Sequence, residues 1–457
     1  MSGTRELVLA LPEDELRAFV LAQRWYGSKT EDLAHVRAVD AFPLRRDGER
    51  QLAVALVEAR FQAGTHDLYN VPVGLRRGGE GFASVDGWGA VDALADDELV
   101  RELVAMMRAQ ESFELPEGTL EFRSLDQLGE PGEVRAMGAE QSNTSVVLDE
   151  QLVLKLYRKL EAGVNPELEL LRFLTERGFP SIASLEGWAA HAGQPLDATL
   201  AILQHYVPGR KDGWALALDD VAGGGRNGFV AQVRRLGAVT GAMHSVLASE
   251  PGDPAFCPEE PGAEAIALIV ARIDEEIEQV FSGLPDDPVL EPIAGRGEEL
   301  RDRLQAIGQS GALGRLIRHH GDYHLGQVLW TEAGDWVVLD FEGEPARPLH
   351  ERRHKRSPLR DVAGMLRSFS YAASASSLER GIEAPVGWEG QVRDEFLAGY
   401  LDEVDPAIVP SGPALERVLH LFELEKALYE LRYDLGHRPA WARVPVAGIQ
   451  QLLEEPL

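Results

Sequence analysis

The sequence predicts an α+β fold of two lobes, sheet-rich in its N-terminal half and mostly helical beyond about residue 208. Three observations carry that expectation. Strand-like alternation fills residues 35 to about 85 and returns between about 134 and 207. Helical spacing then dominates to the end of the chain. One strand pair, GQVLWTEAGDWVVLDFEGE, interrupts the helical half as a hairpin across TEAGD. At 457 residues the chain exceeds one ordinary core, and no period of 20–50 residues recurs. Several subdomains are expected, not a repeat array.

Taken in order, residues 1–30 read as helical, with PEDEL supplying proline and acids for a first turn. HVRAVDAFPL, QLAVALVEARF and DLYNVPVGL follow as strands separated by RRDGER and RRGGEG. Together they form a small α+β unit over 1–88. Helical spacing resumes at 89–112, and LPEGTLEFRSL is strand again. VRAMGAEQSNTSVVLDEQLVLKLYRKL reads as three short strands, and NPELELLRFLTERG as a helix with proline near its start and glycine after its end. The sheet-containing segment thus runs over 89–207 and the helical one over 208–457. AGGGRNG at 222–228 and PGDPAFCPEEPG at 251–262 break the helices.

Charge narrows the function. Lys and Arg number 45 against 75 Asp and Glu, a formal net charge of −30. That field repels phosphate backbones and anionic lipid, so neither a nucleic acid nor a membrane is an expected partner. A phosphate-bearing ligand would need a local cationic pocket and metal ions. The single cysteine, Cys257, excludes an intrachain disulfide framework and a Cys-rich zinc site. No run approaches 18 apolar residues, and the start reads as an amphipathic helix, not a signal peptide. A reducing, cytoplasmic location is expected.

The segments HHGDYHLGQVLW, 319–330, and VVLDFEGEP, 337–345, carry the most chemistry. Phosphoryl transfer needs a carboxylate to orient the attacking hydroxyl and accept its proton. It also needs oxygen ligands that hold Mg²⁺ against the phosphates. Asp322 lies in a turn, Gln327 enters the strand QVLW, and Asp340 ends the opposite strand. Antiparallel strands bring their ends together, so Asp322 as base and Gln327 and Asp340 as metal ligands can share one cleft edge. Alone, Asp322 could simply cap a turn and Asp340 end a strand; the combined pattern favours chemistry. His319, His320 and His324 read better as hydrogen-bonding props of the loop than as metal ligands.

This pattern, HGD-x4-Q with a hairpin and DFE, resembles the aminoglycoside-phosphotransferase-like, or protein-kinase-like, fold. There an HGD-x4-N loop supplies the catalytic Asp and a metal-binding Asn. Gln327 keeps the carbonyl ligand and lengthens the arm by one methylene. With DFEGEPARPLHERR and SPLRDVAGMLRSFSYAA it resembles actinobacterial maltokinases from about RWYGSK onward. The resemblance implies a bilobal kinase-like fold with residues 1–88 as an N-terminal cap subdomain. It implies an ATP- and Mg²⁺-dependent enzyme that phosphorylates maltose at its anomeric hydroxyl. The product, maltose 1-phosphate, would feed α-glucan and glycogen synthesis, and trehalose synthase is an implied partner.

The same resemblance assigns further residues. EQSNTSVV, 140–147, stands where backbone N–H groups cover the phosphates, placing Ser142, Asn143, Thr144 and Ser145 beside the nucleotide. Lys155, inside an apolar strand, would hold the α- and β-phosphates when oriented by Glu169, preferred over Glu167 on the following helix. AILQHYVPG would be the hinge strand, with backbone near Gln204 and Tyr206 bonding adenine. Asp361 would brace the catalytic loop, while Arg360 and Arg367 read as surface or bracing residues. In LFELEKALYELRYDLGHRPAW, Glu423, Lys426, Glu430 and Tyr433 fall at steps of three and four, with Tyr429 beside them. By periodicity this is either a solvated face or a sugar-binding stripe; the E-K-A-x-Y-E and R-P-x-W patterns of maltokinases favour acceptor binding. Two rivals stand: a kinase of this fold acting on glucosamine or an aminoglycoside, and an inactive regulatory binding module.

Overall fold

The computed structural model describes residues 3–138, 142–262, 264–308 and 313–454. The chain divides into two compact units. The first comprises Met1–Arg172, Ala183–Pro208 and Pro348–His350; the second comprises Phe173–Ile182, Gly209–Arg347 and Glu351–Leu457.

In the first unit the N-terminal helical segment is two helices, Thr4–Leu9 and Glu13–Ala22, because Pro12 interrupts the chain and becomes the N-cap of the second. A six-stranded sheet follows. Leu33–Arg46, Arg50–Phe61, His66–Arg77, Trp88–Asp92 and Ala83–Val85 pair in that order, and Lys159–Leu160 adds to His66–Arg77. The sheet therefore runs on to Asp92, so the expected boundary at 88 cuts a strand that lies inside the expected helical stretch 89–112.

The strand Arg50–Phe61 is buried on both faces. Ala53, Ala55, Val57 and Ala59 pack with Leu7, Leu16, Val20 and Trp25 of the helical cover. Leu52, Val54 and Leu56 point the other way, into a core shared with Leu120, Phe122, Leu154 and Leu203. A strand covered on both sides reads as a continuous apolar run, as QLAVALV does.

The second sheet has seven strands. Its order is Ser112–Leu115, Gly118–Ser124, Leu185–Gly193, Ala198–His205, Leu152–Tyr157, Asn143–Leu148 and Val134–Met137, all antiparallel. Leu152–Tyr157, which carries Lys155, is paired on both sides and so is held in fixed register. The helix Asp97–Arg108 packs its apolar face on this core, with Asp96 as N-cap accepting from the N–H groups of Glu98 and Leu99.

Among its described residues the second unit is helical apart from a three-stranded sheet, in which Gly209–Asp212 joins the hairpin Val328–Thr331 and Trp336–Val338. Gly334, at φ +80°, makes the turn of that hairpin. The helices Phe229–Leu247 and Trp388–Glu403 cross at glycines. A Cβ at Gly237 would lie 2.0 Å from the Phe396 carbonyl oxygen, and one at Gly399 would lie 1.9 Å from that of Arg234. No helix among the described residues is long and apolar enough to cross a membrane.

Candidate active site

The HGD loop is built on one buried carboxylate. Asp361 lies in the first turn of the helix Leu359–Arg380 and accepts from the backbone N–H of His320 at 2.8 Å and of Gly321 at 2.9 Å. His244 Nε2 lies 3.0 Å from the same carboxylate, and its Nδ1 meets the Tyr400 hydroxyl. Burial works against the charge of Asp361, yet the neighbouring His319 and His244 hold its carboxyl well below the usual carboxylate range. Other props fix the loop further along. Tyr323 and Thr240 share a hydroxyl–hydroxyl bond of 2.8 Å, and the Leu325 N–H donates to Ser368. His320 Nε2 meets the Leu339 carbonyl at 2.9 Å, and its Nδ1 accepts from the Asp322 N–H at 3.3 Å. His320 thus works as a hydrogen-bonding prop.

Two glycines let the loop meet the DFEGE segment. Gly321 sits at φ +88° and Gly343 at φ +75°. A Cβ on Gly321 would stand 3.2 Å from the Gly343 Cα, tighter than the neighbouring backbone accommodates. Phe341 is fully buried with its ring centroid 4.9 Å from that of His320. Asp340 adopts φ +59°, a left-handed conformation that Asp tolerates better than most side chains. Its Oδ2 accepts from Gln327 Nε2 at 3.0 Å. With its nitrogen so used, the Gln327 amide keeps its oxygen for another ligand. An amide oxygen beside a carboxylate is a hard donor set, which fits Mg²⁺.

Asp322 faces a cavity of about 210 Å³ that lies wholly within the second unit. Its nearest titratable neighbours are Lys426 Nζ and His324 Nε2, each at 3.8 Å. Both lie beyond hydrogen-bonding distance, so the carboxylate retains lone pairs for a substrate hydroxyl. Burial would lower the Lys426 pKa, but Asp322, Glu430 and Glu344 hold the ammonium above its ordinary value.

The expected sugar stripe is only partly here. Within the helix Pro413–His437, Phe422, Glu425, Lys426, Tyr429 and Arg432 line the cavity. At 100° per residue this face is turned roughly a quarter of a revolution from the predicted one, and only Lys426 and the flanking Tyr429 belong to both. Glu423 is buried and accepts from Arg393 at 2.7 Å; Glu430 is buried and accepts from both Arg367 Nε and Nη2. Tyr433 is 44% exposed and stacks on His437. Glu423, Glu430 and Tyr433 therefore leave the acceptor set, and Arg367 is a bracing residue. The two acids face guanidinium groups on neighbouring helices, that of Arg367 buried and that of Arg393 half-buried, a match that sequence spacing does not reveal.

In the first unit Lys155 is 5% exposed, and its Nζ donates to Glu167 Oε2 at 2.7 Å. The Tyr157 hydroxyl donates to the same oxygen at 2.7 Å. Glu167, the acid ranked second from sequence behind Glu169, makes this contact with Lys155. Glu167 opens the helix Pro166–Glu176, where Asn165 accepts its backbone N–H and fixes the first turn toward the lysine strand. That cap is the sequence signal that distinguishes the two acids.

Of the phosphate-loop segment, Glu140 and Gln141 lie outside the described residues. Ser142 is exposed and Asn143, at the start of its strand, is half-buried. Thr144 accepts from Arg158 Nε at 2.8 Å, and Ser145 is 2% exposed, so their side chains serve the strand interior. At the hinge, the Tyr206 N–H donates to the Gln151 carbonyl at 2.6 Å and the His205 N–H to that of Ser184. These donors are spent, so an adenine beside Gln204 and Tyr206 would have to use other backbone groups there.

Comparison with known proteins agrees with this geometry. The model of the phosphotransferase enzyme family matches residues 133–396, more than half of the chain. The model of the maltokinase N-terminal cap domain matches residues 19–95. A protein named glucosamine kinase from Streptacidiphilus jiangxiensis is 28% identical over 339 residues, 71% of this chain and 74% of its own. One of the same name from Mycolicibacterium smegmatis is 27% identical over 333 residues, 70% of this chain and 80% of its own. The fold matches a solved glucosamine kinase at a TM-score of 0.76 and 24% identity, over 99% of this chain and 100% of that one. A second, solved with glucosamine, ADP and inorganic phosphate, matches at 0.75 and 23% over 99% of each. With a braced HGD loop beside an amide–carboxylate pair, and most of its length matched, the chain belongs to the phosphotransferase enzyme family and carries a maltokinase-type cap.

Proposed function

We propose that the chain is a cytoplasmic sugar kinase that transfers the γ-phosphoryl group of ATP to the anomeric hydroxyl of maltose, giving maltose 1-phosphate for α-glucan and glycogen synthesis. The observation that carries this reading is Asp322, its lone pairs uncommitted, at the wall of a cavity that also presents Lys426 and Tyr429. Asp322 orients the sugar hydroxyl and takes its proton as the new P–O bond forms. Tyr429 offers an aromatic face to pyranose C–H groups, and Lys426 donates to a sugar oxygen. Gln327 and Asp340 would hold Mg²⁺, which when bound draws charge from the phosphates. Lys155, oriented by Glu167, neutralises the α- and β-phosphates. Association with trehalose synthase belongs to the same reading.

Maltose is preferred to glucosamine on the match to the maltokinase N-terminal cap domain. The cavity wall does not decide between them, because its six arginines and one lysine stand among six carboxylates. The stripe from Glu423 to Tyr433 lends it no support, since neither end faces the cavity. Initial rates with Mg-ATP and maltose, glucose or glucosamine test the choice. Maltose should exceed glucosamine by about tenfold or more in kcat/KM, ~1.4 kcal/mol of discrimination; faster turnover of glucosamine overturns it.

A second test separates the two helix acids. Glu167→Gln should raise the Michaelis constant for ATP by about tenfold or more, because the lysine loses the charge that positions it. Glu169→Gln should act far less. The reverse ranking would return the pairing role to Glu169.

A further inference from the structure

The cavity beside Asp322 holds more positive charge than a neutral acceptor uses. The chain carries 45 Lys and Arg in 457 residues and a net charge of −30. Yet seven of the 21 residues lining this one cavity are cationic. Most are committed. Arg360 pairs with Glu425, Arg432 with Glu276, and Arg347 with Glu344 and Glu351. Lys426 flanks Asp322, and Arg352 donates to the Arg347 carbonyl. The sixth acid of the wall, Asp361, is occupied by the catalytic loop. Arg356 and Arg272 remain, without a carboxylate partner among the described residues.

Arg356 is half-buried. Burial, then the guanidinium groups of Arg360 and Arg347, push its pKa down to about 10. Arg272 acts on it in the same direction. A guanidinium normally keeps its proton well above that value; here burial and the neighbouring guanidinium groups outweigh Glu425, which acts the other way. A planar fork with free donors matches a phosphate oxygen pair, and a desolvated one binds it more strongly than a surface lysine would.

We propose that Arg356 and Arg272 form a phosphate-ester subsite in the acceptor cavity, so that the enzyme binds a sugar monophosphate in competition with its neutral acceptor. The subsite would slow the enzyme as phosphorylated sugar accumulates. Only the competition rests on the kinase reading; capture of the anion follows from the cavity itself.

Calorimetric titration of the full chain without nucleotide tests this with glucose 1-phosphate, glucose, glucuronate and inorganic phosphate. Glucose 1-phosphate should bind about tenfold or more tighter than glucose, and less tightly as salt rises. Arg356→Gln should remove most of that advantage. Arg272→Gln, at an exposed position, should reduce it too, and serves if the first variant does not fold. Equal binding of glucose and its 1-phosphate overturns the proposal, as does an undiminished preference in the folded variants. Glucuronate or inorganic phosphate binding as tightly as the ester also overturns it, because the subsite would then read charge alone. If no sugar is phosphorylated yet the ester binds through Arg356, the kinase reading fails and the subsite stands. Turnover of maltose with no preference for the ester removes the subsite and leaves the kinase reading in place.

Discussion

Asp322→Asn is expected to fold and bind ATP normally and to lower kcat for sugar phosphorylation by about 10²–10⁴, the usual worth of a general base. The asparagine oxygen can still accept a hydrogen bond from the acceptor hydroxyl. It holds the hydroxyl less strongly and cannot take its proton. The fold should survive because the nearest titratable groups to this carboxylate, Lys426 and His324, both stand 3.8 Å away. No short bond is broken by the substitution. Steady-state rates with circular dichroism and nucleotide titration separate the two effects. Turnover near that of the wild type would remove Asp322 from the role of base.

Asp361→Asn should show the opposite pattern, a loss of stability that carries activity down with it. The wild-type carboxylate receives the N–H groups of His320 and Gly321 and faces His244, all in the buried interior. An asparagine turns an NH₂ toward one of these donors and leaves it unsatisfied. Breaking a buried, charged network of this kind costs about 3–5 kcal/mol. Because the folded-state pKa is depressed, the stabilisation is present above the unfolded carboxylate value, about 3.9, and is lost only as pH falls through the lower folded value. The variant should therefore melt earlier than wild type at neutral pH, and the gap should narrow in acid. Denaturation at pH 7 and pH 3 measures it. An equal melting temperature with full activity would show that the loop needs no such brace.

How much of this was legible in the sequence depends on the range of each interaction. The HGD loop, Gln327 and Asp340 lie within twenty residues of one another, joined by a hairpin, so their convergence follows from local chain geometry. Glu167 is separated from Glu169 only by a first-turn cap from Asn165, a signal two residues long. The acceptor face is ambiguous in sequence because every third or fourth position of that helix is polar or aromatic. Which polar face looks inward is decided by Arg393 and Arg367, 30 and 63 residues away from the acids they meet. The cationic wall is hidden for the same reason. Its arginines come from 272, from 347–360 and from 432, and nothing in their spacing places them around one space. In the first unit the extra strands escape notice where they are short, such as Lys159–Leu160, which pairs with a strand more than eighty residues earlier.

The strand Arg50–Phe61 bears on how such an enzyme can be inherited. Its two apolar faces serve two different cores, one under the N-terminal helices and one beneath the nucleotide sheet. A lineage that lost the cap would not be left with a smaller working enzyme, because Leu120, Phe122, Leu154 and Leu203 would face water. Nor could a foreign domain be exchanged for the cap unless it brought a matching apolar face. Cap and nucleotide sheet must then travel as one genetic unit, while the surface loops around them remain free to drift.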